Sequence, residues 1–172
     1  MAVEVQVFGL VMDDETRAPV MVLRAVEGEE TLPIQIGFPE AAAIAAMIEK
    51  IDLPRPMTHD LLAAAIEALG GRVERVDVTD LRDTTFLATI QVRRARRTLT
   101  LDARPSDAVA LALRARAPIY VADSVFAKVE PRDATEASRL QWMAFLQSLE
   151  ASSDPDVIVN PDKSKEPKKT VH

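Results

Sequence analysis

Between Thr98 and Leu113 the chain changes its apolar period from two to 3.6 across a single proline. Thr98 to Asp102 alternates, with Leu99 and Leu101 on one face and Thr98, Thr100 and Asp102 on the other, as a strand requires. Pro105 ends that strand and biases Arg104 away from helical geometry. Ser106 or Asp107 then stands where a side-chain oxygen can accept from the free N–H groups of a helix start. The helix continues Ala108-Val109-Ala110-Leu111-Ala112-Leu113, small or apolar throughout, and is therefore expected to be buried nearly all round. Asp102, Arg104 and Asp107 fall where a buried strand meets a buried helix. Charge left unpaired there is costly, so each must be met by another of the three, by a metal or by a phosphate.

A chain of 172 residues is long enough for one domain with a core, and a 48% hydrophobic share supports it. Aromatic residues make up only 4%, so the core must be built from Val, Ile, Leu and Ala. There are no cysteines, which excludes disulfides and thiolate metal sites and fits a reducing compartment. Met1 to Val7 alternates like a strand, with neither a basic leader nor an apolar h-region, and no apolar run suffices to cross a bilayer. A cytoplasmic location is expected. The net charge of −6 argues against a protein that coats nucleic acid, although local arginines can override the mean field in one cleft.

The chain opens as a meander: a strand to about Met12, a second over Val20–Val26 and a third over Thr31–Ile36. Gly37-Phe38-Pro39-Glu40 then starts a helix, with Pro39 suited to its first turn and Glu40 favourable near its positive end. Ile44, Met47, Ile48 and Ile51 follow at helical spacing and predict the buried stripe, leaving an alanine face for a close neighbour or a second subunit. Two prolines stiffen Asp52 to Met57. Thr58 is expected to cap a second helix to Leu69, stopped by Gly70-Gly71, with Leu61, Leu62, Ala65, Ile66 and Leu69 buried. Strands over Val73–Val78 and Thr84–Arg93 precede the Thr98 strand, and Pro118–Ala122 is a short buried strand after the central helix. Thr135–Leu149 has the spacing of a last amphipathic helix. Strands first in a meander, then alternating with helices, predict an α+β domain over residues 1–150, its sheet mostly antiparallel or mixed. Residues 151–172, rich in Pro, Asp, Ser and Lys, are expected to be a flexible tail.

Generic catalytic signatures are missing: there is no phosphate-binding glycine loop, no HExxH and no GxSxG elbow. What remains is polar residues at turns. Asp107 capping its helix and Arg104 pairing with Asp102 would explain that trio without chemistry. His59 and Asp60 lie in the first turn of their helix, where the dipole opposes positive charge; a neutral imidazole there suits a base or a metal ligand. A half-buried histidine bonded to a backbone carbonyl is the commoner explanation. Arg55, between two prolines, has little freedom and suits a bidentate clamp on carboxylate or phosphate. Arg93 to Arg97 places four positive charges at a loop tip, either a solvated hairpin end or a phosphate attractor.

Three segments together carry a family resemblance: Leu32-Pro33-Ile34-Gln35-Ile36-Gly37 with Glu40-Ala41; Arg55-Pro56-Met57-Thr58-His59-Asp60-Leu61; and Asp102 to Ala110 with Pro118-Ile119-Tyr120-Val121. In this order and spacing they resemble the bifunctional nuclease family, over about residues 3–130. Met57 stands where leucine is usual, and Leu87 where an aromatic is common. The resemblance implies an α+β domain, dimeric, with nuclease activity toward RNA and DNA. The matched polar positions are Glu40, Arg55, His59, Asp60, Asp102, Arg104, Ser106 and Asp107.

Metal-assisted phosphodiester hydrolysis is the reaction these positions suggest. Asp102 and Asp107, with Glu40, would hold Mg²⁺ or another divalent cation through hard carboxylate oxygens. His59 would act as general base or acid, and Arg55, Arg104 and Ser106 would bind the nucleic-acid substrate. The rivals are a non-catalytic dimeric interaction domain, whose polar residues hold turns together, and a small-ligand regulatory module. The acidic balance and the scarcity of aromatic stacking platforms favour those rivals.

Overall fold

Seven strands join into one sheet. In the computed structural model, which describes residues 1–129, the order is β1 (Ala2–Met12), β2 (Pro19–Ala25), β3 (Thr31–Gln35), α1 (Phe38–Ile48), α2 (Thr58–Ala68), β4 (Gly71–Arg82), β5 (Thr85–Arg94), β6 (Arg97–Ala103), α3 (Pro105–Ala115), β7 (Ile119–Ala122) and α4 (Asp123–Phe126). The sheet order is β3-β2-β1-β7-β4-β5-β6. Every pairing is antiparallel except β4 with β7. The expected α+β class with a mixed sheet is thus what the chain builds. The Thr135–Leu149 helix and the tail lie outside the described residues.

The one parallel pairing explains the burial of α3. The chain leaves the sheet at its β6 edge and must re-enter at the centre, as β7 between β1 and β4, and α3 makes that crossing. It packs over β4 and β5, flanked by α1 and α2. Pro105, Ser106 and Ala108 to Ala112 are buried, and the small side chains let the helix lie close to the sheet. Pro33 is tolerated because β3 is an edge strand that can spare an N–H.

The two flanking helices bury other faces than their largest residues suggest. In α1 the alanines Ala41, Ala43, Ala45 and Ala46 join Ile44 in the interior, while Ile48 is exposed. Helical spacing predicts Ile44, Met47, Ile48 and Ile51 as the stripe, of which Ile44 is fully buried, and the close approach of α3 selects small residues beside it. In α2 the inward stripe is His59, Ala63 and Ile66, at i, i+4 and i+7. Leu61, Leu62 and Leu69, expected in the core, are exposed by 65%, 41% and 70%. Met57, not Thr58, is the N-cap of α2, and its backbone N–H donates to Asp60 Oδ2 at 2.7 Å. At α3 the cap is Arg104, with no side-chain cap bond, so neither Ser106 nor Asp107 plays that role.

Candidate active site

The first turns of α1, α2 and α3 meet at one end of the helical layer. They enclose an open cleft of about 270 Å³. Pro39, Glu40 and Ala43 line it from α1, Thr58 and His59 with the cap Met57 from α2, and Asp107 with the cap Arg104 from α3. Pro39 and Pro105, each in a helical first turn where a missing N–H costs nothing, fix two of the three entries. Three positive dipole ends therefore border one space.

A continuous polar chain runs through the cleft. Arg104 Nη2 pairs with Glu40 Oε1 at 2.8 Å, and Arg104 Nε donates to Asp107 Oδ2 at 2.7 Å. Asp107 Oδ1 lies 3.0 Å from His59 Nε2. Partial burial pushes the Asp107 carboxyl up, but the hydrogen bonds and charges of Arg104 and His59 outweigh it and hold it below its ordinary value. The bond to Asp107, and then that to Glu40, raises the Arg104 guanidinium. An ionised Asp107 can only accept, so the proton in the contact sits on His59 Nε2. In neutral His59 the basic lone pair is then on Nδ1. The arrangement is a histidine oriented by a carboxylate, with a cation fixed beside it, a geometry that can serve a general base.

Behind this chain stands an arginine that sequence reasoning missed. The Arg114 side chain is only 5% exposed, and its Nε donates to Asp60 Oδ1 at 2.5 Å. Its Nη1 donates to the carbonyls of Ala43 at 3.1 Å and Ala110 at 2.9 Å, and Nη2 lies 3.9 Å from Met57 Sδ. One guanidinium thus ties α1, α2 and α3 together. Partial burial raises Asp60, but the Met57 N–H, the Arg114 bond and the nearby charges leave it lowered overall. A long cation in the last turn of α3 has a sufficient local explanation in the helix dipole, so only the fold reveals it.

Of the residues singled out in the sequence, the cleft gathers Glu40, His59, Arg104 and Asp107. Ser106 is buried and faces a neighbouring cavity. Arg55 lies exposed in the connector before α2, outside the cleft lining. Asp102 pairs across the sheet with Thr89, which in turn is opposite Asp77. Cross-strand partners share a face, and this is the face away from Ala88 and Ile90, which join α3 in the core. Asp102 and Asp107 are therefore on opposite sides of the sheet, and Arg104 pairs with Asp107 and Glu40 instead of Asp102. Asp107 already engages Arg104 and His59 with its two oxygens. Among the described residues no three His, Cys, Asp or Glu side chains stand together to hold a metal ion. Of the carboxylates expected to hold a divalent cation, the cleft brings together Glu40 and Asp107 and leaves Asp102 outside. The arginines of the β5–β6 hairpin sit at the far end of β6, about 20 Å from Arg104 at 3.3 Å per residue. There Arg93 is drawn to Glu74 at 3.0 Å.

The chain belongs to the bifunctional nuclease domain family, whose model matches residues 21–133. It is 43% identical over 160 residues to an uncharacterized protein of Mycobacterium tuberculosis, covering 89% of this chain and 96% of that one. Similarity to Bifunctional nuclease 2 of Oryza sativa subsp. japonica is 29% over 107 residues, 60% of this chain and 33% of the rice protein. To the Bifunctional nuclease of Oryza minuta it is 27% over 105 residues, covering 59% and 32%. The chain thus spans about a third of the length of these rice proteins.

Proposed function

We propose that the chain cleaves phosphodiester bonds of RNA and DNA in the cleft at the three helix starts. The observation that carries this reading is the His59–Asp107–Arg104 arrangement at their convergence. A scissile phosphate is drawn by the three dipole ends and by Arg104 Nη1, the guanidinium nitrogen not engaged by Glu40 or Asp107. His59 Nδ1 takes a proton from the attacking water as its oxygen bonds to phosphorus. The bond to the leaving oxygen breaks, and the imidazolium returns the proton to that oxygen. Asp107 keeps the ring in this tautomer, and Glu40 holds Arg104 in place. These side chains carry the step by themselves, and a cation brought by the substrate phosphates would meet Glu40 and Asp107.

Cleavage of single-stranded RNA and DNA tests this, with wild type, His59→Ala and Asp107→Asn purified side by side, in magnesium and in EDTA. Circular dichroism checks folding. The expected result is activity in wild type and a loss of about 100- to 10,000-fold in His59→Ala. A folded His59→Ala protein cutting at the wild-type rate sinks the assignment. The EDTA arm tests the expected divalent cation: loss of cleavage on chelation restores a cation to the reaction, brought by the substrate phosphates.

The same proposal makes the working unit a homodimer, because α2 presents Leu61, Leu62 and Leu69 to solvent and β6 ends the sheet with Leu99 and Leu101 exposed. No helix among the described residues is long and apolar enough to cross a membrane. With no cysteine in the chain, a reducing cytoplasmic setting suits it.

A further inference from the structure

Arg104 borders two cavities. Beyond the His59 cleft lies a second, of about 440 Å³, between the end of β3, the start of α3 and the tip of the β4–β5 hairpin. That volume is in the range of small-ligand sites. The nuclease reading leaves it without a role.

Its lining is mixed in a particular way. Phe86 packs partly against the core and lines the cavity with the rest of its ring. Gln35 contributes an exposed amide and Thr85 a hydroxyl. Ser106 is the decisive residue. It is 6% exposed, lines the cavity, caps no helix and makes no side-chain hydrogen bond among the described residues. A buried hydroxyl without a partner costs stability, and a native fold seldom keeps one without use. Here it stands two residues from the arginine that reaches the scissile phosphate.

We propose that this cavity is a nucleobase subsite. The base of the nucleotide whose phosphate meets Arg104 lies against the Phe86 ring, and its polar edge hydrogen-bonds Ser106 Oγ, with Gln35 and Thr85 at the rim. A flat ring with polar edges matches one aromatic wall, one buried hydroxyl and an amide; an aliphatic ligand leaves Ser106 unmet. The choice of a nucleotide rests on the nuclease reading. The pocket also supplies a stacking surface, the Phe86 ring, in a chain poor in aromatic residues.

Isothermal titration calorimetry with adenosine monophosphate, uridine monophosphate and ribose 5-phosphate tests it on wild type, Phe86→Leu and Ser106→Ala. At least one nucleotide should bind wild type about ten-fold or more tighter than ribose 5-phosphate, the scale of one stacked base. Both variants should lose that preference. Ser106→Ala should also melt no lower than wild type, since it removes a buried unmet hydroxyl, which separates lost binding from lost folding. Nucleotides binding no tighter than ribose 5-phosphate to wild type, or a Ser106→Ala protein with the full preference, overturns the subsite. Binding is read without cleavage. A wild type that prefers nucleotides yet cuts nothing refutes the nuclease reading alone, and one that cuts without preference refutes the subsite alone.

Discussion

His59 Nε2 and Asp107 Oδ1 are 3.0 Å apart although 48 positions separate them in the chain. The contact joins the first turns of α2 and α3, so it serves packing as well as chemistry. The two roles separate by substitution. Asp107→Asn keeps the shape but presents an amide that can offer N–H to Nε2, favouring the other tautomer and putting the basic lone pair on the wrong nitrogen. Cleavage should fall at least about 100-fold while the fold persists. Thermal melting and cleavage rate measured on the same preparation check this. Equal losses of both would make the pair architectural.

Arg114 makes a different demand. Replacing it by Met keeps most of the volume but leaves Asp60 Oδ1 without its arginine donor and removes the tie to the Ala43 carbonyl. Breaking a buried pair by removing one partner costs about 3–5 kcal/mol. Asp60 is itself partly exposed, so the low end of that range applies. Arg114→Met should lower the urea midpoint sharply, and the double variant Arg114→Met/Asp60→Asn should recover part of the loss. A single variant as stable as wild type would remove Arg114 as the tie between the helices.

Much of this was legible in the sequence, and the misses have physical reasons. Period-two runs located the strands, and Pro105 followed by small apolar residues marked a buried helix. Helix burial was harder. In α2 the expected stripe of Leu61, Leu62, Ala65, Ile66 and Leu69 follows hydropathy, whereas the fold turns inward Ile66 together with His59 and Ala63. Pairing of Arg104 with Asp102 is the expectation from their nearness in sequence, but Arg104 is already the cap of α3 and has left the strand's alternation. The alternation itself placed Asp102 opposite Leu101, and so away from a cleft on the helical side. Glu40, His59 and Asp107 could be listed as first-turn residues, but their meeting depends on the crossover, which only the sheet order fixes.

The carboxylates set an acid limit on stability. Asp60 and Asp107 both have folded values below their ordinary ones. Lys128, then Arg82 and the Leu81 N–H, bring Asp80 down to about 2. A lowered folded value means the unfolded chain takes up protons first. The stabilisation is fully present above the unfolded carboxylate value, about 3.9, and is lost as pH falls through the folded values. The melting temperature should be level near neutrality and fall below about pH 5. In Asp107→Asn that fall should be shallower. An unchanged acid slope in Asp107→Asn would show that its ionisation is not coupled to folding.

The exposed leucines of α2 predict an assembly. Sedimentation at micromolar concentration should show wild type as a dimer. Leu61→Glu/Leu69→Glu should sediment as a monomer with an unchanged circular dichroism spectrum, because 65% and 70% of those residues are already exposed within one chain. A wild-type monomer would refute the dimer, and a dimer untouched by the two glutamates would send the interface elsewhere.

Arg116 ends α3 with φ 53° and ψ 37°, the left-handed conformation in which a Cβ crowds the following carbonyl. The geometry follows from topology: α3 must stop and turn at once into β7, and a left-handed residue after the last turn does this, normally as glycine. Arg116→Gly should therefore stabilise the protein by about 1 kcal/mol, partly offset by glycine's greater freedom in the unfolded chain. For a domain of this size that corresponds to a melting temperature higher by roughly 2–4 °C. Arg116→Val, which brings a β-branched side chain into the same conformation, should move it in the opposite direction. Differential scanning calorimetry of the two variants decides the matter. A lower melting temperature in Arg116→Gly would mean that the arginine side chain contributes more through its surroundings than its backbone strain costs.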